Sequence, residues 1–160
     1  MTIKVGDKIP EMKFTVRQGG DAKTLSTDEI FRGKKVVLFA VPGAFTPTCS
    51  MKHLPGFIQH FDELKKKGVD TVACLSVNDH FVMGAWAKDQ GAGDKIMMIA
   101  DGNGDFTKAV GLPLDGTGFG LGTRSQRYAM VVDDGVVKTL NVEQGPSFEV
   151  SSAEAVMKAL

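Results

Sequence analysis

Apolar and polar residues alternate along the chain in blocks that predict strands and helices in turn. Residues 35–41 form an apolar, β-branched run without polar alternation, as in a strand covered on both faces. Residues 47–67 carry apolar side chains at steps of three and four, which predicts an amphipathic helix. Two further apolar runs, residues 70–78 and 95–100, flank a helical stretch at residues 81–90. This order predicts parallel strands joined by right-handed helical crossovers.

The second half of the chain departs from a purely parallel pattern. Residues 127–133 and 136–142 flank the dipeptide Asp134-Gly135, a strong signal for a tight antiparallel hairpin. A parallel β-α-β unit with such a hairpin predicts an α/β fold of the thioredoxin-like class, a mixed central sheet flanked by helices. A flavodoxin-like sheet is the alternative, and it would not need the hairpin. No repeat or low-complexity stretch divides the chain, so we expect residues 1–160 to form a single domain.

Two capping boxes predict helix starts outside this core. Ser26 with Glu29 predicts a single turn before the first core strand, and Ser151 with Glu154 predicts a closing helix. The alternating glycines at residues 116–122 match neither a dinucleotide-binding nor a phosphate-binding loop, and they do not open a helix. They predict a flexible loop.

Composition and charge exclude several classes of protein. The chain is 42% apolar and 24% charged, as in an ordinary globular protein, and its 19 basic and 19 acidic residues leave no net charge. We therefore expect neither nucleic acid nor an anionic membrane as a partner. The longest apolar run, residues 36–41, is far below the ~20 residues of a membrane span. Because residues 1–10 lack the apolar core of a signal peptide, we expect a cytoplasmic, reducing location.

The chain has only two cysteines, and the sequence places them in different settings. Cys49 lies at the third position of the helix that follows the first core strand, with Thr46 as the expected N-cap and Pro47 at the first position. Backbone N–H groups in a first helical turn lack intrahelical partners and favour an anion, and a thiolate is such an anion. A buried structural thiol is the alternative for an isolated cysteine. The position favours a reactive thiolate.

The second cysteine and a nearby histidine complete the candidate chemistry. Cys74 lies within a core run, about four residues before the expected strand end, hence ~13 Å from the reactive edge at ~3.3 Å per residue. Because a disulfide needs Cα atoms within ~7 Å, we expect a buried structural thiol. His53 shares the helix face of Cys49, and Pro55 is expected to bend the helix just past the site. Without a further Cys or His pair at zinc-site spacing, no metal is expected.

One segment carries a specific family resemblance. The string Pro42-Gly43-Ala44-Phe45-Thr46-Pro47-Thr48-Cys49-Ser50 resembles the active-site signature of the peroxiredoxins, specifically the type II subgroup. Similar matches occur at residues 53–57, 73–79 and 127–132, so the resemblance covers essentially the whole chain.

The resemblance implies a role for four residues. It makes Cys49 the peroxidatic cysteine, has Thr46 and Arg127 orient the peroxide and the thiolate, and has Pro42 shield the pocket. The arginine and threonine side chains suit the reaction. A fixed guanidinium can stabilise negative charge as it moves along the three reacting atoms, and a hydroxyl can donate one hydrogen bond while it accepts another. Without the resemblance, nothing in the sequence singles out Arg127.

The implied function is a thiol-dependent peroxidase that reduces hydrogen peroxide and alkyl hydroperoxides and serves antioxidant defence. Cys49 becomes a sulfenic acid, which a second thiol must reduce. Residues 141–160, where some type II members carry a resolving cysteine, contain none. We therefore expect an external thiol, either glutathione with glutaredoxin or thioredoxin, and no cofactor. The alternatives are a redox sensor with incidental turnover and a thioredoxin-fold domain without a reaction.

The resemblance also implies a homodimer that forms through the active-site edge. Phe45, Phe81 and Phe119 are candidate apolar contacts there, although a loop phenylalanine can also pack inward. Ser50 and Arg124 are further candidates for assisting the site.

Overall fold

A seven-stranded mixed sheet forms the centre of the protein in a computed structural model that describes residues 1–160. The strands are β1 (Lys13–Gln18), β2 (Asp21–Ser26), β3 (Lys35–Ala40), β4 (Thr71–Ser76), β5 (Ile96–Ala100), β6 (Pro113–Asp115), β7 (Thr123–Ser125), β8 (Tyr128–Asp133) and β9 (Val136–Val142). The order across the sheet is β2-β1-β5-β4-β3-β8-β9, while β6 and β7 form a separate antiparallel pair. Strands β3, β4 and β5 are parallel, and the outer pairings are antiparallel. The thioredoxin-like prediction is confirmed.

Helices cover both faces of the sheet. They are α1 (Thr27–Phe31), α2 (Leu54–Gln59), α3 (Phe61–Lys66), α4 (His80–Gln90), α5 (Asp105–Ala109) and α6 (Ala153–Lys158). Apolar residues of α2, α3, α4 and α6 share one buried cluster, and those of α1 and α5 share the other. In β3, Leu38 faces one cluster and Phe39 the other, which explains why that strand lacks polar alternation. No helix combines the length and apolar character needed to cross a membrane.

The short-range signals at two turns are confirmed. Asp134 and Gly135 have φ of 50° and 80°, the backbone that a tight two-residue hairpin requires. Both hydrogen bonds of the first capping box form between Ser26 and Glu29. These local contacts start α1 and join β8 to β9 where the sequence places them.

One hairpin is not predicted by the sequence, and the start of the final helix needs correction. The β1–β2 hairpin leaves little signal in the sequence, because β2 is an edge strand whose residues are exposed or half-exposed and so carry no apolar pattern. The final helix is capped by Ser152, whose side chain accepts from Ala155 N–H, one residue later than the expected box at Ser151. The glycine-rich segment connects β6 to β7 and includes a 3₁₀ turn at Thr117–Phe119.

Candidate active site

Strand register explains how Cys49 and Arg127 meet. Cys49 follows β3 after a short loop, and its side chain is fully buried. Arg127 immediately precedes β8, which runs antiparallel to β3 with Ala40 opposite Tyr128. The carboxyl end of β3 and the start of β8 therefore lie at one edge of the sheet. A pair separated by 78 residues in the chain is brought together by this pairing.

The Arg127 guanidinium divides its hydrogen bonds between two partners. Its Nη2 donates to Cys49 Sγ at 3.1 Å, and its Nη1 donates to His53 Nδ1 at 2.8 Å. The Phe148 ring lies 5.9 Å from the guanidinium carbon. Because arginine stays protonated in proteins, this fork presents a fixed positive charge to the sulfur. The sequence-predicted pair of Cys49 and Arg127 is thus in direct contact.

His53 is a neutral acceptor in this arrangement. Burial, reinforced by the positive charge of Arg127, lowers the pKa of His53 to about 3. Its Nε2 lies 2.8 Å from the Ser151 carbonyl oxygen, which can only accept, so Nε2 carries the hydrogen and Nδ1 is free to accept from Arg127. The ring is also packed at 4.8 Å from Phe39 and 5.0 Å from Phe148, centroid to centroid. The sequence showed His53 on the Cys49 face but gave no sign of this partner.

Thr46 lies at the site, but its side chain does not cap a helix. Its Oγ1 donates to the Gly43 carbonyl at 2.6 Å, and its backbone oxygen accepts from Ser50 N–H at 2.9 Å. The expected N-cap interaction, in which Oγ1 would accept from the first turn, is therefore wrong. The hydroxyl has instead given its hydrogen to the backbone, which leaves its oxygen lone pairs able to accept. Pro42 is half-buried at the start of the same loop.

The periodicity of apolar residues predicts one continuous helix over residues 47–67, but the structure interrupts it. Residues Cys49–His53 form a π-helical turn in which Leu54 N–H donates to the Cys49 carbonyl, and a break at His60 separates α2 from α3. Pro55, which follows Leu54, has no N–H and so cannot donate the helical hydrogen bond to the carbonyl four residues before it. The irregularity lies at the reactive turn itself rather than just beyond it. Such turns are frequent at functional sites.

Cys74 is buried on the same face of the sheet as Cys49. It pairs with Phe39 in the β3–β4 register and lies two residues before the end of β4, so the expected ~13 Å separation from the edge shrinks to ~7 Å. Burial and the nearby Cys49 raise the pKa of the Cys74 thiol well above its ordinary value, against a smaller opposing effect of Arg127. Both cysteines are free. Cys74 is held as a neutral thiol.

The two assisting candidates have other partners. Ser50 Oγ accepts from Trp86 Nε1 at 2.9 Å, which ties the reactive turn to α4. Arg124 donates through Nε to the Leu121 carbonyl at 2.9 Å and through Nη1 to the Val77 carbonyl at 3.3 Å. Neither side chain hydrogen-bonds Cys49. No group of three or more His, Cys, Asp or Glu side chains is placed to hold a metal ion.

Three phenylalanines have exposed side chains, one in the reactive loop, one at the start of α4 and one in the 3₁₀ turn after β6. Phe45, Phe81 and Phe119 are 53%, 72% and 86% exposed. Phe45 is in the reactive loop itself, with a φ of 63° that non-glycine residues seldom adopt. These phenylalanines do not pack inward.

Comparisons with known proteins agree with this geometry. Residues 4–157 match the family model described as Redoxin. The chain is 53% identical to Peroxiredoxin-2E, chloroplastic, of Arabidopsis thaliana, over 99% of this chain and 70% of the relative. It is 50% identical to Peroxiredoxin-2B of the same plant, over 99% of this chain and 98% of the relative.

Two solved structures are also similar over nearly their whole length. One is reduced Prx3 in complex with H₂O₂ from Vibrio vulnificus, with TM-score 0.92, 55% identity and coverage of 99% of this chain and 96% of the other. The second is the Plasmodium falciparum antioxidant protein, described as a 1-Cys peroxiredoxin, with TM-score 0.89, 30% identity and 98% coverage of both chains.

Proposed function

The chain belongs to the Redoxin family and is a peroxiredoxin, a thiol-dependent peroxidase, and from this premise we propose how its own residues carry out the reaction. Cys49 is the peroxidatic nucleophile, and Arg127, Thr46 and Pro42 form its pocket. The observation that carries the assignment is the 3.1 Å contact between Arg127 Nη2 and Cys49 Sγ.

The proposed step is an in-line displacement. The Cys49 thiolate attacks one peroxide oxygen, the S–O bond forms as the O–O bond breaks, and the other oxygen leaves as hydroxide or alkoxide and takes up a proton. Sulfur is oxidised to a sulfenic acid, and the peroxide is reduced to water or an alcohol. Negative charge moves from sulfur along the three atoms, and a guanidinium fixed beside the sulfur can follow it without reorganising.

Thr46 and Pro42 have supporting roles in this proposal. The Thr46 hydroxyl donates to the Gly43 carbonyl, so its oxygen is oriented to accept a hydrogen bond from the peroxide O–H. Pro42 is half-buried and has no N–H, so it can limit water at the site without adding a competing donor. Both side chains help to select a peroxide over bulk water.

We propose that the reductant is a thiol from another molecule. Residues 141–160 hold no cysteine, and Cys74 is a buried neutral thiol within β4. The incoming thiol condenses with the Cys49 sulfenic acid to give a mixed disulfide and water, and a further thiol releases reduced Cys49. Glutathione with glutaredoxin, or thioredoxin, supplies these two electrons.

Peroxide consumption with each donor system tests the proposal. Wild type, Cys49→Ser and Cys74→Ser are assayed with glutathione plus glutaredoxin and, separately, with thioredoxin plus its reductase. We expect turnover by wild type and Cys74→Ser with at least one system, and none by Cys49→Ser. If a folded Cys74→Ser protein is inactive with both, Cys74 takes part in the reaction, and direct resolution of the Cys49 sulfenic acid by an external thiol is wrong.

We also propose a homodimer in a reducing, cytoplasmic compartment. The exposed side chains of Phe45, Phe81 and Phe119 provide apolar surface for a contact between two chains, and two free cysteines suit a reducing compartment. Light scattering on wild type and Phe81→Asp should give the mass of two chains for wild type and of one for the variant. A wild-type mass of 17.1 kDa at micromolar concentration would contradict the dimer.

A further inference from the structure

A buried carboxylate beyond β9 gathers four hydrogen bonds on one oxygen. Glu143 is 6% exposed, and its Oε2 accepts from the backbone N–H groups of Glu149, Val150 and Ser151 at 2.9, 2.9 and 2.8 Å. The Ser151 hydroxyl donates to the same oxygen at 2.6 Å. Although burial opposes ionisation, these bonds outweigh it and hold the pKa of Glu143 below its usual value. The carboxylate thus fixes the segment that precedes α6.

This segment is connected to the reactive sulfur by a short series of contacts. The Ser151 carbonyl accepts from His53 Nε2, His53 Nδ1 accepts from Arg127 Nη1, and Arg127 Nη2 donates to Cys49 Sγ. Glu143 also reaches Arg127 directly through the backbone, where its N–H donates to the Arg127 carbonyl at 2.9 Å. One residue therefore fixes both the main chain of Arg127 and the carbonyl that orients the histidine.

We propose that Glu143 is a positioning residue for peroxide reduction, which keeps the Ser151 carbonyl in place so that His53 presents Nδ1 to Arg127. This inference rests on the proposed roles of Cys49 and Arg127. Glu143 itself contacts neither peroxide nor sulfur. Its effect on the reaction passes through the direction in which the guanidinium points.

The physical reason is that the His53 ring has only one orientation and one tautomer that serve Arg127. With the Ser151 carbonyl displaced, Nε2 loses its acceptor, and the ring can rotate or move its proton to Nδ1, which then faces the guanidinium as a second donor. Donor facing donor pushes Arg127 away from Cys49. Charge-assisted hydrogen bonds are about twice as strong as neutral ones, so a carboxylate holds three converging N–H groups better than an amide does.

The test compares Glu143→Gln with two other variants. Glutamine keeps the shape and one acceptor oxygen but removes the charge. Ser151→Ala removes only the 2.6 Å hydroxyl bond, and Glu11→Gln makes the same charge change at an exposed side chain without a hydrogen bond. Three quantities are measured for each reduced protein: the rate constant with one equivalent of hydrogen peroxide, the pH dependence of Cys49 alkylation by iodoacetamide, and the ¹⁵N shifts of the His53 ring.

We expect Glu143→Gln to slow peroxide reduction by about 10- to 100-fold, because a displacement of about 1 Å in a positioned group can cost about 10²-fold. Cys49 alkylation should require higher pH, and the His53 shifts should change from a single Nε2–H tautomer to a mixture. Ser151→Ala should show a smaller change of the same sign, and Glu11→Gln none.

Two outcomes would overturn the proposal. One is a folded Glu143→Gln protein whose rate, alkylation profile and ring shifts match those of Glu11→Gln. The other, which decides the matter if Glu143→Gln does not fold, is a Ser151→Ala protein indistinguishable from wild type in all three. Failure of the proposed function gives a different result, because Cys49→Ser would then still reduce peroxide.

Discussion

Arg127 Nη2 lies 3.1 Å from Cys49 Sγ and is the only side-chain donor that reaches this sulfur. The contact depends on the antiparallel pairing of β3 with β8, which brings the end of β3 and the start of β8 to the same edge of the sheet. The second half of the guanidinium fork is occupied by His53. The arginine is therefore held from both sides before any peroxide arrives, which is the preorganisation that electrostatic catalysis requires.

Replacing this arginine by lysine should slow peroxide reduction severely. Lysine keeps the charge, but one ammonium cannot donate to His53 and Cys49 in the same fork geometry. We expect the rate constant for Arg127→Lys to fall by about 10²-fold or more, as on loss of an oxyanion-hole donor. Stopped-flow mixing with hydrogen peroxide measures it, and Arg32→Lys, at an exposed arginine without a side-chain hydrogen bond, is the control. An unchanged rate constant in Arg127→Lys would refute the role of the fork.

The Thr46 hydroxyl should be needed for the reaction with peroxide. Thr46→Val keeps the size but removes both the donor to Gly43 and the acceptor for the peroxide, whereas Thr46→Ser keeps them. Leaving a buried hydrogen-bonding group without its partner costs about 1–3 kcal/mol, so we expect Thr46→Val to be about 10- to 100-fold slower and Thr46→Ser to stay near wild type. Thr48→Val is the matched control two residues away. Equal rates in Thr46→Val and Thr48→Val would remove Thr46 from the site.

Cys74 should affect stability more than activity. Cys74→Ser introduces a hydroxyl into an apolar cluster and should lower the free energy of unfolding by about 1–3 kcal/mol. Cys74→Ala removes the sulfur without adding a polar group, so it measures the effect of the lost volume alone. We expect both variants to keep the wild-type rate with peroxide. Denaturant unfolding and the peroxide assay measure the two effects. A large loss of rate in folded Cys74→Ala would assign chemistry to this thiol.

His53 should make the protein lose stability as the pH falls. The folded state keeps the ring neutral down to about pH 3, whereas an unfolded histidine takes up a proton near pH ~6.5. The unfolded state therefore binds one more proton between these values, and stability falls by about 1.4 kcal/mol per pH unit on going down through this window. Urea unfolding of wild type and His53→Gln between pH 6 and pH 4 should differ in slope by about that amount. Parallel slopes would contradict a neutral buried His53.

His60 should make the protein lose stability as the pH rises, which is the opposite of the effect of His53. Its ring contacts Glu63 at 3.1 Å and Glu154 at 3.0 Å, and these carboxylates raise its pKa, led by the hydrogen bond with Glu63. The contribution of His60 to the free energy of unfolding is fully present below its pKa in the unfolded state. It is lost as the pH rises through its pKa in the folded state. His60→Gln should therefore lower the free energy of unfolding more at pH 6 than at pH 8. An equal loss at both pH values would show that the contacts of His60 with Glu63 and Glu154 are not ionic.

The sequence predicts the parts of this fold that are buried or locally determined. Strands β3, β4 and β5 are found because burial on both faces leaves an uninterrupted apolar run. Strand β2 is missed because an exposed edge strand has no such pattern. The π-helical turn is missed because periodicity of apolar residues does not distinguish it from an α-helix.

In the candidate site, too, the sequence predicts what depends on local pattern and does not predict the long-range contacts. The position of Cys49 after β3 follows from the local pattern, but only the family resemblance indicates Arg127, since strand register is a long-range property. The contacts of His53 with Arg127 and Ser151 span 74 and 98 residues and leave no local trace. Nothing in the sequence indicates the hydrogen bonds of Glu143 with the backbone of residues 149–151.

The most direct test of Cys49 as the nucleophile is to find which sulfur atom the peroxide oxidises. Reduced wild type and Cys49→Ser are mixed with one equivalent of hydrogen peroxide and trapped with dimedone, and the peptides that contain Cys49 and Cys74 are weighed by mass spectrometry. We predict one dimedone adduct, on the Cys49 peptide of wild type, and none on Cys49→Ser. An adduct on Cys74 in both proteins, or peroxide reduction by Cys49→Ser at the wild-type rate, would contradict the assignment of Cys49 as the nucleophile.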